Sequence, residues 1–572
     1  MKDRSLHFVG FILACFGFAA HANTYTVGSG AGCTHGTIQS AINAADSHFG
    51  YDEIRLTRSL TYEPESNTVN TSDDLSIVGG YATCTQSTSD GVYTVVSGFG
   101  AANGTSVFNI NTSGTAIVTL RLLQITAARQ YGINFHGSGT LQLIENTIDR
   151  NKVGGIHAEA SPGSSANLAI YTGNVILQNG TTGLGSGGGV SLTGAVTMTM
   201  VATKTTIGLN TAQLGGGLYV GSGATANIGS PGYGGLAVID GNDATLGGGI
   251  FVAGTLNLYT TDPTHPVRVA GNWTDNSGGG IYVSGADALL CARDFVIEDN
   301  QAGITGGAIV AANGSYGYSP NVLLNVDSPD CVVPAMAKRC ASSTTCNRIS
   351  GNSSDHNDSY DPSGAIIAAL SYAFLRADHV TMRDNTGEYM VYGNDSNISL
   401  DHMLIADNTI SGTVLVSSGS ATAIQALALG SSTIANNDFT GYFVLHSPWM
   451  LFLTNDIIDQ PGVPTYVTIP HQLYLHNLLL SSTANIPPAP DIIVDSPMFI
   501  DAAHGNYHLN RYSQAVDFAE ADTYDPLDLD GKPYDVDLPR ANNRYGPRDL
   551  GAFELQSEDC GIFGTIFCTS FE

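Results

Sequence analysis

A short β-branched segment closing on asparagine recurs down this chain, and no other feature restricts its folding as much. LIENTIDRN ends at Asn151, VILQN at Asn179, TTIGLN at Asn210, AVIDGN at Asn242, VRVAGN at Asn272 and FVIEDN at Asn300. NRISGN follows at Asn352, VTMRDN at Asn385, MLIADN at Asn408 and STIANN at Asn437. Successive intervals are 28, 31, 32, 30, 28, 52, 33, 23 and 29 residues, so one interval breaks an otherwise narrow band. Repeats of this length mark solenoids, propellers or arrays. Behind each Asn comes a glycine stretch and a second apolar strand, as in LGGGLYV, LGGGIFV, SGGGIYV and TGGAIVA.

One physical cause accounts for both elements if each period is one coil. Alternating Val, Ile and Leu point side chains into the coil, and coils stack about 4.8 Å apart through parallel hydrogen bonds. Asn tolerates left-handed backbone at a corner and pairs its side-chain amide with the Asn one coil away. Glycine supplies positive φ and close approach between coils. Helical solenoids are disfavoured because no 10-residue stretch of the array keeps a 3.6-residue period free of Gly or β-branched runs. The L-x-x-L-x-L frame of leucine-rich repeats is absent, and the spacing does not hold four propeller strands. The pattern therefore predicts an all-β fold, a right-handed parallel β-helix wound as a single-stranded solenoid.

GGGIYV-type strands alternating with xxxN segments resemble the repeats of bacterial polymorphic outer-membrane proteins over roughly residues 145 to 440. Further on, SPMFIDAAHGNYHL, SQAVD, DLDG, Arg540 and DLGAFE resemble the bacterial choice-of-anchor Q region found at the C-terminal end of many β-helix proteins. That resemblance implies display on a surface rather than catalysis.

The ends divide the chain further. Lys2 and Arg4 precede the apolar run FVGFILACFGFAA, and Ala20-His21-Ala22 offers a cleavage site, so residues 1–22 read as a signal peptide. The run is shorter than the ~20 residues that span a bilayer. Residues 23–100 read as an N-terminal cap and first coils, with Ile38, Ala41, Ile42 and Ala45 on one face of a capping helix after Thr37. Residues 101–487 read as the coils, with an extra loop at about 312–346 filling the long interval, and 488–556 as the anchor-Q-like region. Residues 557–572 form a Cys-bracketed tail.

Eight cysteines remain after the leader, an even set that suggests disulfides in an oxidising compartment. Cys33 with Cys84 is a plausible staple across the N-terminal region, and Cys560 with Cys568 a local loop. The three cysteines of the extra loop brace it, in one arrangement with Cys291. A net charge of −29 opposes nucleic acid as a partner and suits a soluble, non-sticky surface. The leader and the two resemblances imply an exported chain, expected to be a monomer, at the extracellular or outer-membrane surface of a Gram-negative bacterium.

Chemistry is sparse. Neither the Asp pairs with Gly-His and Arg-x-Lys of a polygalacturonase nor the Arg-rich signature of a pectate lyase is present. Asp384 and Asp407 each precede a repeat Asn, and stacking would bring them about 5 Å apart, a separation suited to a retaining glycosidase. Asp beside a corner Asn is also ordinary turn composition. Asp525, Asp528 and Asp530, with Asp535 and Asp537, form an acidic cluster whose oxygens could hold Ca²⁺, although the complete EF-hand loop is absent. His136, His157, His471, His476, His504 and His508 are scattered rather than set as a ligand trio. The expectation is a non-enzymatic surface scaffold whose partner is a polysaccharide or a neighbouring cell surface. The alternative is a carbohydrate-active β-helix enzyme.

Overall fold

The computed structural model describes residues 22–556 apart from 181–184, 201–203, 230–236, 261–264, 316–318, 332–346, 356–362, 420–424, 441–443, 448, 461, 464, 466–470, 522–525, 539–540 and 542. Parallel strands wind from Asn23–Val27 to Ile492–Val494. A complete coil gives one strand to each of three faces, as in Thr140–Ile144, Thr147–Asp149 and Gly154–Ala160. One coil on, these pair in register with Ala166–Ile170, Val175–Leu177 and Val190–Thr193. The chain is thus the parallel β-helix that the repeat predicts.

Alternation decides which side chains enter the coil. In Val196–Met200, Val196, Met198 and Met200 are buried while Thr197 and Thr199 face outward. On the second face, Ile148, Ile176, Ile207, Ile239, Val269 and Ile297 lie over one another, rung upon rung. Ile349, Met382, Ile405, Ile434 and Ile458 continue the column. All are fully buried, so each inward residue rests on its own kind above and below.

The repeat asparagines form one hydrogen-bonded column at the corner between the second and third faces. Asn179 donates its backbone N–H (2.9 Å) and its Nδ2 (3.0 Å) to Oδ1 of Asn210, whose Nδ2 donates back to the Ile176 carbonyl at 3.0 Å. The same pattern links Asn151 to Asn179, Asn210 to Asn242, Asn242 to Asn272 and Asn272 to Asn300. It runs on through Asn352, Asn385 and Asn408 to Asn437. Gln460 closes the column by accepting the Asn437 N–H at 3.1 Å. Asn300 and Asn352 are neighbours at 2.9 Å although 52 residues apart, so the long interval inserts chain without separating rungs.

Two expectations need correction. The left-handed residue at this corner is the one before the Asn: Gln178, Leu209, Asp299, Asp384, Asp407 and Asn436 all have φ between 54° and 58° except Asn436 at 50°. The turn must reverse one residue earlier so that the Asn backbone can rejoin the next strand with its amide aimed along the stack. Glycine does the equivalent work after the corner: Gly215 has φ 62°, and a Cβ on Gly216 would sit 2.5 Å from the Asp243 and Gly248 carbonyl oxygens. The extra loop expected at about 312–346 is shorter, because Asn321–Leu324 is a regular rung between Leu289–Ala292 and Phe374–Asp378. The added length lies between this strand and Arg348–Ser350, and Cys331 within it is bonded to Cys291 on the first face.

At the open N-terminal end, the helix Ile38–Asp46 buries Ile38, Ala41, Ile42 and Ala45 against the first coil, with Thr37 Oγ1 accepting the Ser40 N–H at 3.2 Å. The Cys33–Cys84 disulfide staples this cap. Cys560 and Cys568 lie outside the described residues.

Replacing Asn242 by Ala removes an acceptor shared by two buried donors and a donor shared by two acceptors, at a cost of about 3 kcal/mol or more. Hydrogen exchange should show lost protection concentrated in the rungs around Asn210 and Asn272. By contrast, Leu209 is 56% exposed at φ 54°, so Leu209→Gly should raise denaturant stability by about 0.5–1 kcal/mol.

Candidate functional site

Beyond the last coil the chain turns back and lies along the outside of the second face. Ala552 donates to Thr433 Oγ1 at 3.0 Å and Gly551 to the Asn455 carbonyl at 2.8 Å. Tyr507, Leu529, Ala552 and Phe553 bury Leu404, Ala406 and Ala435, which face outward from the coil. Where this C-terminal module lifts from the solenoid it leaves a groove of about 380 Å³, with Arg348, Arg383 and Asp384 on one wall and Asn506, His508 and Asp530 on the other.

The charges around the groove are paired along the stacking axis. Arg268 Nε (2.8 Å) and Arg348 Nη2 (2.6 Å) both donate to Glu298 one rung away from each. Burial opposes the Glu298 charge, yet the two guanidiniums hold its carboxyl below the usual carboxylate range. Asp407 accepts from Arg383 and from the Tyr507 hydroxyl, and from Asn436 Nδ2 at 2.7 Å. Burial, followed by the adjacent Asp407 carboxylate, pushes the Tyr507 hydroxyl well above its ordinary value. Across the groove, His508 Nε2 meets Asp530 Oδ2 at 2.7 Å.

Asp384 and Asp407 occupy equivalent corner positions on adjacent rungs, both at φ 58°, because their neighbours Asn385 and Asn408 are consecutive in the column. Their surroundings differ. Asp407 ties the module to the solenoid through three partners, whereas Asp384 is exposed in the groove and its carboxylate meets no partner among the described residues. Asp528 and Asp530 share one tight turn but do not converge. Asp528 Oδ1 accepts the backbone N–H of Asp530 (3.0 Å) and Lys532 (2.8 Å), and its Oδ2 accepts that of Glu554 (3.1 Å), while Asp530 faces His508. Asp525 lies outside the described residues. His136, His157, His471, His476, His504 and His508 form no common cluster; His157 stacks on Tyr131 at 4.9 Å and His504 pairs with Asp501.

An aromatic column on the third face, Tyr219, Phe251 and Tyr282, suggests a sugar platform at first sight. Its rings lie nearly parallel at 5.6 and 5.4 Å, so their faces are spent on one another.

Sequence reasoning passed over Asp378-His379 and Asp401-His402. Both dipeptides end strands of the first face, and both histidines take left-handed backbone, at φ 52° and 50°. Asp378 Oδ1 meets His379 Nδ1 at 2.7 Å and His402 Nδ1 at 2.9 Å, and the imidazoles stack at 4.5 Å. The signal was available, since the dipeptide Asp-His recurs after the same 23 residues that separate Asn385 from Asn408.

Fold and groove together define a parallel β-helix protein with a docked C-terminal module. No family model matches the chain, and no curated protein matches it. Among solved structures, pectate lyase Pel9A is similar at 11% identity and a TM-score of 0.21, over 94% of this chain and 98% of that one. None of the helices among the described residues is long and apolar enough to cross a membrane.

The module is held by buried acids. Asp549 accepts from the backbone N–H groups of Asp517 (2.8 Å) and Leu555 (2.7 Å), and Glu554 from those of Val536 (2.7 Å) and Asp549 (3.0 Å). Burial pushes Asp528 up to about 6 and raises the Asp549 and Glu554 pair further. Raised carboxyls bind protons more tightly folded than unfolded, so their contribution is complete below about pH 4 and is lost as pH rises through the folded values. The module should therefore resist proteolysis better at pH 5 than at pH 9. Equal resistance, or the reverse order, would show that these carboxyls are not protonated in the fold.

Proposed function

We propose that this chain is an exported, surface-displayed β-helix that binds an extracellular polysaccharide in the groove between its second face and C-terminal module, without cleaving it. One observation carries the reading: the groove offers hydrogen-bonding and charged groups already fixed in place, yet its carboxylates are spent on other partners with the exception of Asp384. Hydrolysis of a glycosidic bond by the usual route needs two working carboxyl groups. Asp407 is engaged by Arg383, Asn436 and Tyr507, and Asp530 by His508, which leaves Asp384 alone. Guanidiniums held in rigid ion pairs suit recognition of hydroxyl and carboxylate groups, because their geometry is set before the ligand arrives.

The leader-like residues 1–22, the disulfides and the anchor-Q-like sequence of the module support the reading of display at the outer surface of a Gram-negative cell. The ligand is an oligosaccharide segment of a matrix or of a neighbouring cell's coat, and the chain acts as a monomer. No nucleic acid is expected to bind a chain of net charge −29.

A panel of neutral and uronic-acid oligosaccharides tests this by calorimetry, with reducing ends and unsaturated products assayed in parallel. Saturable binding, weakened at least about 10-fold by Asn506→Ala and unaccompanied by product, is the expected outcome. Turnover that disappears in Asp384→Asn would replace the binding reading with the enzymatic one.

A further inference from the structure

The Asp-His pairs that stack at the first corner are placed where the DLDG turn of the C-terminal module closes over them. His379 Nε2 donates to the Leu527 carbonyl at 2.8 Å, and the Tyr534 ring lies 5.4 Å from that of His402. Asp401 stands in register with Asp378 one rung away, near enough to feel the charges of both His402 and Asp378. Four chemically apt groups thus occupy two adjacent rungs, and the described part of the module roofs them.

The hydrogen-bond directions add a constraint. A carbonyl can only accept, so Nε2 of His379 carries a proton. That leaves Nδ1 of the neutral ring as a lone pair aimed at a carboxylate oxygen 2.7 Å away, which is repulsive unless a positive charge stands between them. A metal ion meets that need at His379, and His402 Nδ1, 2.9 Å from the same carboxylate oxygen, is placed to share it. The two Nδ1 atoms and a carboxylate oxygen of Asp378 all lie within 4.8 Å of one another. Ligands ~2.0–2.1 Å from an ion are ~2.9–3.4 Å apart, so the observed 2.7 and 2.9 Å need only a small opening of the site. A ligating histidine typically gives its other ring N–H to a carbonyl or carboxylate, as His379 does to Leu527.

We propose that Asp378, His379 and His402 form a site for a late first-row divalent ion of the Zn²⁺ type, which pins the C-terminal module to the solenoid. Two imidazole donors to one carboxylate select this class over Ca²⁺ or Mg²⁺, which favour all-oxygen sites. The ion takes the place of any Nδ1 protons, which leave to solvent. The role is structural, since the position is buried under the Leu527–Tyr534 turn.

The full chain, stripped with chelator and titrated with Zn²⁺, should bind about one ion, with the module gaining resistance to protease on binding. Co²⁺ in the same position should give a ligand-field absorption spectrum that Zn²⁺ abolishes. His402→Ala should weaken binding by about 100-fold or more. Asp378→Asn keeps the shape of the side chain and should weaken it while the far-ultraviolet dichroism of the β-helix stays unchanged. Two results would overturn the proposal: a folded wild-type chain that takes up no stoichiometric Zn²⁺, or undiminished Zn²⁺ binding in both variants. Cluster stability that depends on pH alone, with no metal effect, would assign the positive charge to a second proton on His379 and would likewise overturn it.

Discussion

The side-chain amide of each corner asparagine has an oxygen and two N–H bonds, and in this solenoid they are spent along the stacking axis. Oδ1 of Asn210 takes two donors from Asn179, while its Nδ2 serves both the Ile176 carbonyl and Asn242. A buried amide left half satisfied would be costly, so each rung demands an equivalent residue in the next. Strand register follows from that demand. The column of isoleucines and valines on the second face is aligned because the corner beside it permits no slippage.

This constraint explains what the chain tolerates and where. An insertion between Leu324 and Arg348 leaves Asn300 and Asn352 as direct neighbours, because a solenoid requires only that the chain return to the next rung in register. The Cys291–Cys331 bond holds the start of that insertion against the first face. At the far end, the module uses the outer surface of the second face as its foundation, and Leu404, Ala406 and Ala435 are small or apolar there where other rungs carry polar groups. The groove is a product of that docking, which also brings the Leu527 carbonyl onto His379.

Sequence alone made the β-helix legible because the same residue type must recur at the same corner, and Asn is conspicuous among Val and Ile. The capping helix was legible for a similar reason, since Ile38, Ala41, Ile42 and Ala45 share one face. Less visible was the left-handed residue before each Asn, because Gln178, Leu209, Gly241 and Asp384 have a backbone angle in common and no side-chain chemistry. Gln460 ended the column unnoticed because it replaces the repeat Asn with a longer amide. The groove could not be read at all: Arg383 and Tyr507 are 124 residues apart and meet through Asp407 only once the module folds back. Asp384 and Asp407 looked alike in sequence, and only tertiary contacts gave them different surroundings.

Rung adjacency across the long insertion is the most exposed part of this account. Gln301 and Ser353 are in-register partners on consecutive rungs, although they are 52 positions apart in sequence. Parallel neighbours are close enough for a disulfide, which needs Cα atoms about 4.4–6.8 Å apart. Mild oxidation of the double variant Gln301→Cys and Ser353→Cys, followed by peptide mapping, should yield that cross-link in most molecules. Failure of the two cysteines to join in a folded chain, or preferential joining of either to the native cysteines, would contradict the continuous column on which the whole structure stands.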